Sequence, residues 1–575
     1  MASCLVFLFL AFFAFSANAD VSIDCGASDF YTDENSIEWM GDSDLFQDSQ
    51  AKEVQSSNTI SHVMSTLTVF TTRKKNCYSI SENKGNLLLV RASFFYGNYD
   101  KKSSPPSFDM HIDGNHWATV KTSLDQLVYY EVVYVSKGDT TSICLAQTQP
   151  NQFPFISALE VRNLDSRMYN YFNPKYALFL RSRVAYGAKE TVRFPDDTYD
   201  RIWVPATVNS GITSVASDAI TINVVNARDN PPQAVLQNAI TISSTSDSIS
   251  IKPGFPDREV SIYMNLYFSE VTELDTTQNR SFKAYIDKKP ISDTIIPPYG
   301  EVTEMFFNFT ASSNTSFSLV ANPDSTLPPL VNAMEVFYIS DRLTDGTNSK
   351  DVEGLSELQK VFSDALQEWS GDPCLPSPYT WEWISCSNDT IPRITALDLS
   401  SFDLSGELPD FSSMDALVTI DLHNNSLSGP IPDFLGAFPY LKELNLADNS
   451  FSGPIPPSIS SNKMLKLVVS GNPGLCVSGK SCKPTSTDGT KSSPTPSSSS
   501  KKSNKLPIIL GTTIPSFIIF WAIVAFILHH RRKTAAIAAI TAGQAAGSDM
   551  PSHGQGSPGN VMMGKMGEAA ANEGS

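Results

Sequence analysis

The chain has 575 residues, 41% hydrophobic and 10% aromatic, enough for ordinary cores and roughly two to four domains. A net charge of −18 and a pI near 4.8 set long-range repulsion against nucleic acid and anionic lipid, and against polyanionic polysaccharide unless a local basic patch exists. The seven histidines are scattered and no CxxC or HExxH is present, so no metal and no cofactor is expected, and His111 and His116 read as ordinary strand and turn residues.

Leu5 to Phe15 is an apolar run ending in Ala17-Asn18-Ala19, the small-x-small pattern of a cleaved leader, so 1–19 reads as a signal peptide and the mature chain starts near Asp20. Residues 20 to 345 are short apolar runs, such as Leu87 to Phe94 and Val128 to Val135, broken every ten or so residues by Gly, Pro, Asn and Asp. That is the pattern of β-sandwiches. An internal repeat runs through them. Ser107-Phe108, HIDG and ISALEV around Ala158 are echoed by Ser281-Phe282, YIDK and VNAMEV around Ala333, with separations of 51 and 52 residues. SIEWMG around Trp39 and DRIWVP around Trp203 extend the match, giving two tandem sandwiches at 20–180 and 181–345.

Residues 346–392 form a junction. Asp351 to Trp369 reads as one amphipathic helix, with Leu355, Leu358, Phe362, Leu366 and Trp369 at spacings of three and four, covering the open edge of a repeat array downstream. The segment WSGDPCLPSPYTWEWISC then forms a tryptophan-rich cap. Residues 393–482 are leucine-rich repeats: ITALDLSSFDLSGELPD, LVTIDLHNNSLSGPIPD and LKELNLADNSFSGPIPP, then an incomplete fourth from Met464. Leu397/Leu399, Ile420/Leu422 and Leu444/Leu446 point inward, Asn425 and Asn449 can bond the turn backbone, and Phe402 in the asparagine slot predicts a distorted first turn. Asp398, Ser400, Asp421, His423, Asn445 and Ala447 would line the concave face, a small docking patch.

Residues 483–505 are a Ser/Thr/Pro-rich stalk, and Leu506 to Leu528 is uncharged over 23 residues, long enough to span a bilayer as a helix. The tail, 529–575, is Ala-, Gly- and Ser-rich, without a glycine loop, His-Arg-Asp or Asp-Phe-Gly. The expectation is a single-pass type I protein of the plasma membrane with its ectodomain outside. Mature Cys25, Cys77, Cys144, Cys374, Cys386, Cys476 and Cys482 all fall on the oxidising side. Cys374 with Cys386 and Cys476 with Cys482 read as short-loop disulfides clamping the repeat array, and the other three leave one thiol unpaired. Glycosylation sequons start at Asn279, Asn308, Asn314, Asn388 and Asn424, all before the apolar span.

SIDCGAS at Ser22, RASFFYGNYD at Arg91, SFDMHIDG at Ser107 and WSGDPC at Trp369 resemble the malectin-like plus leucine-rich-repeat ectodomains of plant receptor-like kinases. With its short tail the chain resembles the kinase-lacking receptor-like proteins of the same architecture, so signalling would need a partner kinase. The resemblance implies a mainly β fold, no enzymatic activity, and binding of cell-wall carbohydrate or a secreted peptide in a cleft between the sandwiches, with a receptor-kinase co-receptor. The family's sugar-contacting aromatic pair falls on Phe95-Tyr96 in the first copy and Tyr267-Phe268 in the second, with Asn98 and Asp100 as polar partners. Two alternatives stand beside this reading: a signalling accessory docking only proteins through its repeats, and, remotely, a wall glycosidase using two carboxylates.

Overall fold

The computed structural model describes residues 20–476 except 44, 47, 56, 58, 59 and 207–210. The leader, Cys482, the stalk, the apolar span and the tail lie outside the described residues. Among the described residues no helix is long and apolar enough to cross a membrane.

One 11-stranded sheet organises residues 20–345. Its strands are β1 (Val21–Asp24), β2 (Phe30–Thr32), β3 (Glu38–Gly41), β4 (Leu87–Phe94), β5 (Val128–Val135), β6 (Ala158–Asn163), β7 (Leu178–Ala185), β8 (Val204–Pro205), β9 (Val260–Phe268), β10 (Thr303–Ala311) and β11 (Ala333–Ile339). Their spatial order is β2-β3-β1-β6-β4-β5-β7-β11-β9-β10, with β8 beside β7. All eight residues of β4 are buried, which is why LLLVRASF reads as a nearly continuous apolar run: both faces of this strand are covered.

The duplication is visible strand by strand. In the first copy β1, β3, β4, β5 and β6 pack on a four-stranded sheet (Lys75–Ser81, Thr140–Ala146, Ser107–Ile112, Asn115–Lys121) and a three-stranded one. In the second, β7 to β11 pack on the equivalent four-stranded and three-stranded sheets. Trp39 and Trp203 each donate their indole N–H to an aspartate six residues upstream, Asp33 at 3.0 Å and Asp197 at 2.7 Å. Phe94 meets Phe108 edge-on at 5.6 Å, and Phe268 meets Phe282 edge-on at 5.4 Å. The expected division at 180/181 cuts β7. This strand pairs with β11 almost throughout its length and with β5 through only Val132↔Phe179 and Val133↔Leu178, so it belongs to the second copy.

The helix expected from Asp351 to Trp369 is two pieces. Helix α1 (Ser349–Val361) is capped by Asn348, whose side chain accepts the Lys350 N–H. The chain breaks at Phe362, resumes over Ser363–Leu366, and leaves Trp369 outside. Leu355, Leu358, Phe362 and Leu366 nonetheless enter the core of the repeats, because the break preserves the apolar side. Gly354 is required where α1 crosses the array: a Cβ there would sit 2.3 Å from Met414.

The repeats stack a parallel sheet (Ile394–Asp398, Thr419–Asp421, Glu443–Asn445, Lys466–Val468) under an asparagine ladder. Asn425 accepts the Leu404 N–H at 2.9 Å and donates to Leu399 O at 2.8 Å, and Asn449 repeats this with Leu427 and Leu422. The first turn is distorted at Phe402, as expected: Ser401 takes the same positive φ as Asn424 and Asp448, but Asp403 adds a second one that Ser426 and Ser450 lack, while Asn425 accepts the Phe402 N–H from the neighbouring repeat.

Candidate ligand-binding site

Phe95, Tyr96, Tyr267 and Phe268 are each at most 1% exposed. They are core residues in this structure, with no face open to a sugar. Their assumed equivalence is also two residues out of register. Glu160 faces Arg91 and Glu335 faces Asn265, so Phe95-Tyr96 corresponds to Ser269-Glu270, and Tyr267-Phe268 to Ser93-Phe94. Tyr267 donates its hydroxyl to Glu335 at 2.7 Å, a second buried partner that sequence inspection could not reveal.

Just beyond Tyr96 the chain winds tightly, with positive φ at Gly97, Asn98, Lys101 and Ser103. Asn98 accepts the Ser103 N–H at 2.8 Å, and Asp100 takes the Tyr96 hydroxyl and the Lys102 N–H. Burial and the Asp100 carboxylate push the Tyr96 phenol up to about 12, so it stays a donor that fixes Asp100. Asp100 thereby lines a groove of about 70 Å³ with Tyr99, Lys102, Asn151, Gln152 and Phe153. Aromatic walls with amide, carboxylate and ammonium groups between them suit a polyhydroxylated ligand. The volume is far below the several hundred Å³ of an enclosing pocket, so this is a surface platform. Of these groove residues the sequence singles out only Asp100; the amide-rich run Gln147-Thr148-Gln149-Pro150-Asn151-Gln152 is the available signal for the other wall.

Buried ion pairs hold the seam between the two copies. Arg183 bridges Glu131 of the first copy at 2.7 Å and Glu335 of the second at 2.6 Å, and Arg91 holds Glu131 at 3.0 Å and Glu160 at 3.2 Å, all almost fully buried. Desolvation would raise Asp200 and Glu335, yet the neighbouring guanidinium groups, Arg91 and Arg193 for the first and Arg183 and Arg201 for the second, hold both below the usual carboxylate range. Nearby, burial and the Glu304 and Glu335 charges push Asp229 well up. This seam ties the two copies together through Arg183 and its two carboxylates.

On the repeats, Asp421 accepts from His423 Nδ1 at 2.8 Å and from the Asn445 amide at 3.1 Å, while Asp398 pairs with Ser400 at 2.7 Å. Ala447 is buried. The concave face is thus two small satisfied clusters, with Asp398 exposed. Asn308, Asn314, Asn388 and Asn424 are exposed, whereas Asn279 is half-buried and donates to Asp324 O.

Cys374 is bonded to Cys386, and Cys77 to Cys144, leaving Cys25 as the buried free thiol. Cys476 is disulfide-bonded, with Cys482 outside the described residues. The Cys77–Cys144 bond explains the Gly-Asp-Pro-Cys junction. Gly371 lies against Cys77 Sγ, where a Cβ would approach to 2.4 Å, and Lys75 donates to the carbonyls of Asp372 and Leu375. The cap is therefore seated on the first sandwich.

Comparison with known proteins places this architecture. The malectin-like domain model matches residues 23–339, and the leucine-rich-repeat model matches 416–438 and 440–462. An Arabidopsis thaliana protein described as uncharacterized is 37% identical over 58% of this chain and 67% of its own length. A probable LRR receptor-like serine/threonine-protein kinase of the same plant is 34% identical over 68% of this chain, which spans only 46% of that kinase. Among solved structures, the ANX2 ectodomain from Arabidopsis thaliana is similar at a TM-score of 0.48 and 16% identity, over 56% of this chain and 97% of that one. A complex of the plant peptide RALF23 with FER and LLG2 is similar at 0.46 and 16%, over 57% and 96%. With more than half of its length matched by one domain model, the chain belongs to the malectin-like family, carrying leucine-rich repeats behind the malectin-like region.

Proposed function

We propose that this is a receptor-like binding protein of the cell surface whose first sandwich recognises wall carbohydrate on the Tyr99–Phe153 platform. The observation that carries this reading is the groove itself, where two aromatic side chains flank Asp100, Lys102, Asn151 and Gln152. Asp100 is held for this role by Tyr96 from below, so the buried aromatic shapes the site without touching the ligand. Export, membrane anchoring and a partner kinase complete the reading, supported by the leader, the apolar span and the similarity to receptor-kinase ectodomains. The hydrogen-bonded Asp421, His423 and Asn445 on the concave face favour a protein partner there.

The test uses the secreted, glycosylated protein on an array of plant-wall polysaccharides and glucose oligomers. Saturable binding that Tyr99→Ala or Gln152→Ala weakens at least about tenfold, with unchanged melting, supports the platform. Binding that survives both changes moves the site elsewhere. No glycan binding by folded protein turns the reading to a peptide ligand.

A further inference from the structure

The long sheet ends in an open edge. Strand β10 is its last strand and has no partner on its outer side among the described residues. Nine residues of unpaired edge are a template for unwanted pairing unless something covers them. The first copy shows how the same position is closed there. Glu131 of β5 and Phe306 of β10 are equivalent, since each faces the residue opposite the buried glutamate of its copy. By that register Val133 corresponds to Asn308. Val133 is where the first copy pairs with the second, through Leu178. In the second copy the joining position is instead an exposed asparagine within Phe306-Phe307-Asn308-Phe309-Thr310, an Asn-x-Thr sequon.

Alternation along a strand puts Phe306, Asn308 and Thr310 on one face, with neighbours about 7 Å apart, and all three are exposed. Phe306 lies flat on Tyr171 at 3.9 Å and 2° between planes, and Arg228 sits over Tyr171 at 4.9 Å. Both rings are partly exposed, Phe306 at 36% and Tyr171 at 44%, and the buried Tyr263 opposite Asn308 flanks Phe306 at 6.0 Å. An apolar ring face beside a glycosylation acceptor is a surface for the C–H face of a sugar.

We propose that Asn308 carries an N-linked glycan whose innermost sugar rests on Phe306, closing the sheet at the position that joins the copies in the first sandwich. The inference rests on the reading that the chain is exported. In the modifying step the Asn308 amide nitrogen attacks the anomeric carbon of a lipid-diphosphate-linked oligosaccharide. A C–N bond forms, the C–O bond to diphosphate breaks, and the amide proton departs with the lipid diphosphate.

The full chain, produced in a secretory host, tests this with single Asn→Gln variants at 279, 308, 314, 388 and 424 compared by gel mobility. Asn308→Gln is expected to remove one glycan step and to raise concentration-dependent self-association. A melting cycle then compares Phe306→Ala in the parent and in Asn308→Gln: the substitution should lower melting by about 2 °C more when the glycan is present. If Asn308→Gln leaves mobility unchanged while other variants shift it, the inference fails and the export reading stands. If no variant shifts mobility, both fail. Equal effects of Phe306→Ala in the two backgrounds overturn the resting place of the sugar, and a second copy or an added peptide strand bound at β10 despite a glycan at Asn308 overturns the closure.

Discussion

Phe95 and Tyr99 lie four residues apart and do opposite things. Phe95 is fixed in the core, its N–H donated to Ser157 Oγ at 3.0 Å, so Phe95→Ala should lower stability by about 3–5 kcal/mol in urea unfolding. Tyr99 is half-buried against Tyr96 and faces the groove, so Tyr99→Ala should cost well under half of that and act on binding. Gly371 is the other decisive residue. Its φ of +75° and the 2.4 Å approach to Cys77 Sγ predict that Gly371→Ala destabilises the junction by about 2 kcal/mol or more. A melting scan of the variant at unchanged midpoint would refute this. None of these roles is legible in the run RASFFYGNYD or in WSGDPC, because sequence alone does not say which side of a strand meets a second sheet.

At the scale of elements, repeats and strands differ in how much they reveal. Each leucine-rich turn is closed by a neighbour one repeat away, so the periodic residues are themselves the contacts. Asn425→Ala would strip Leu399 O, Phe402 N and Leu404 N of their partner at once and should lower stability by about 2–4 kcal/mol, with hydrogen exchange rising first in the first two repeats. Protection unchanged there would contradict the ladder. Helix α1 is legible as an apolar periodicity, while its break at Phe362 is not, since the three- and four-residue spacing of Leu355, Leu358, Phe362 and Leu366 runs straight through it. The slip between the aromatic pairs has the same origin. Composition aligns them by type, but the ladder of β4 with β6 and of β9 with β11 aligns them by pairing.

For the whole molecule the seam decides cooperativity. Arg183→Met would leave Glu131 and Glu335 buried without a shared partner and should destabilise by about 3–5 kcal/mol, separating unfolding into two steps by calorimetry. The pH profile follows from the buried carboxylates. Burial raises Asp24 to about 6, and burial also raises Asp113, Asp229 and Glu304. Groups raised above their unfolded values stabilise fully below about pH 4 and lose that contribution as pH rises through their folded values, for Asp24 through about 6. Asp200 and Glu335 are lowered, so their contribution is lost only at lower pH. Melting temperature of the parent relative to Asp24→Asn should therefore fall between about pH 4 and pH 6. A profile rising over that range would refute the assignment.

The sequence by itself determined the tandem copies, the leucine ladder, the amphipathic cover and the short Cys374–Cys386 loop, because each is written in residues that repeat or lie close along the chain. Only the tertiary structure decided that the copies share one sheet, that Arg183 and its carboxylates join them, that Cys77 pairs with Cys144, and that the aromatic pairs are core while Tyr99 is half-buried at the groove. These depend on pairing between strands far apart in the chain and on which face of each is covered, and alternation along a strand specifies two faces without naming the buried one.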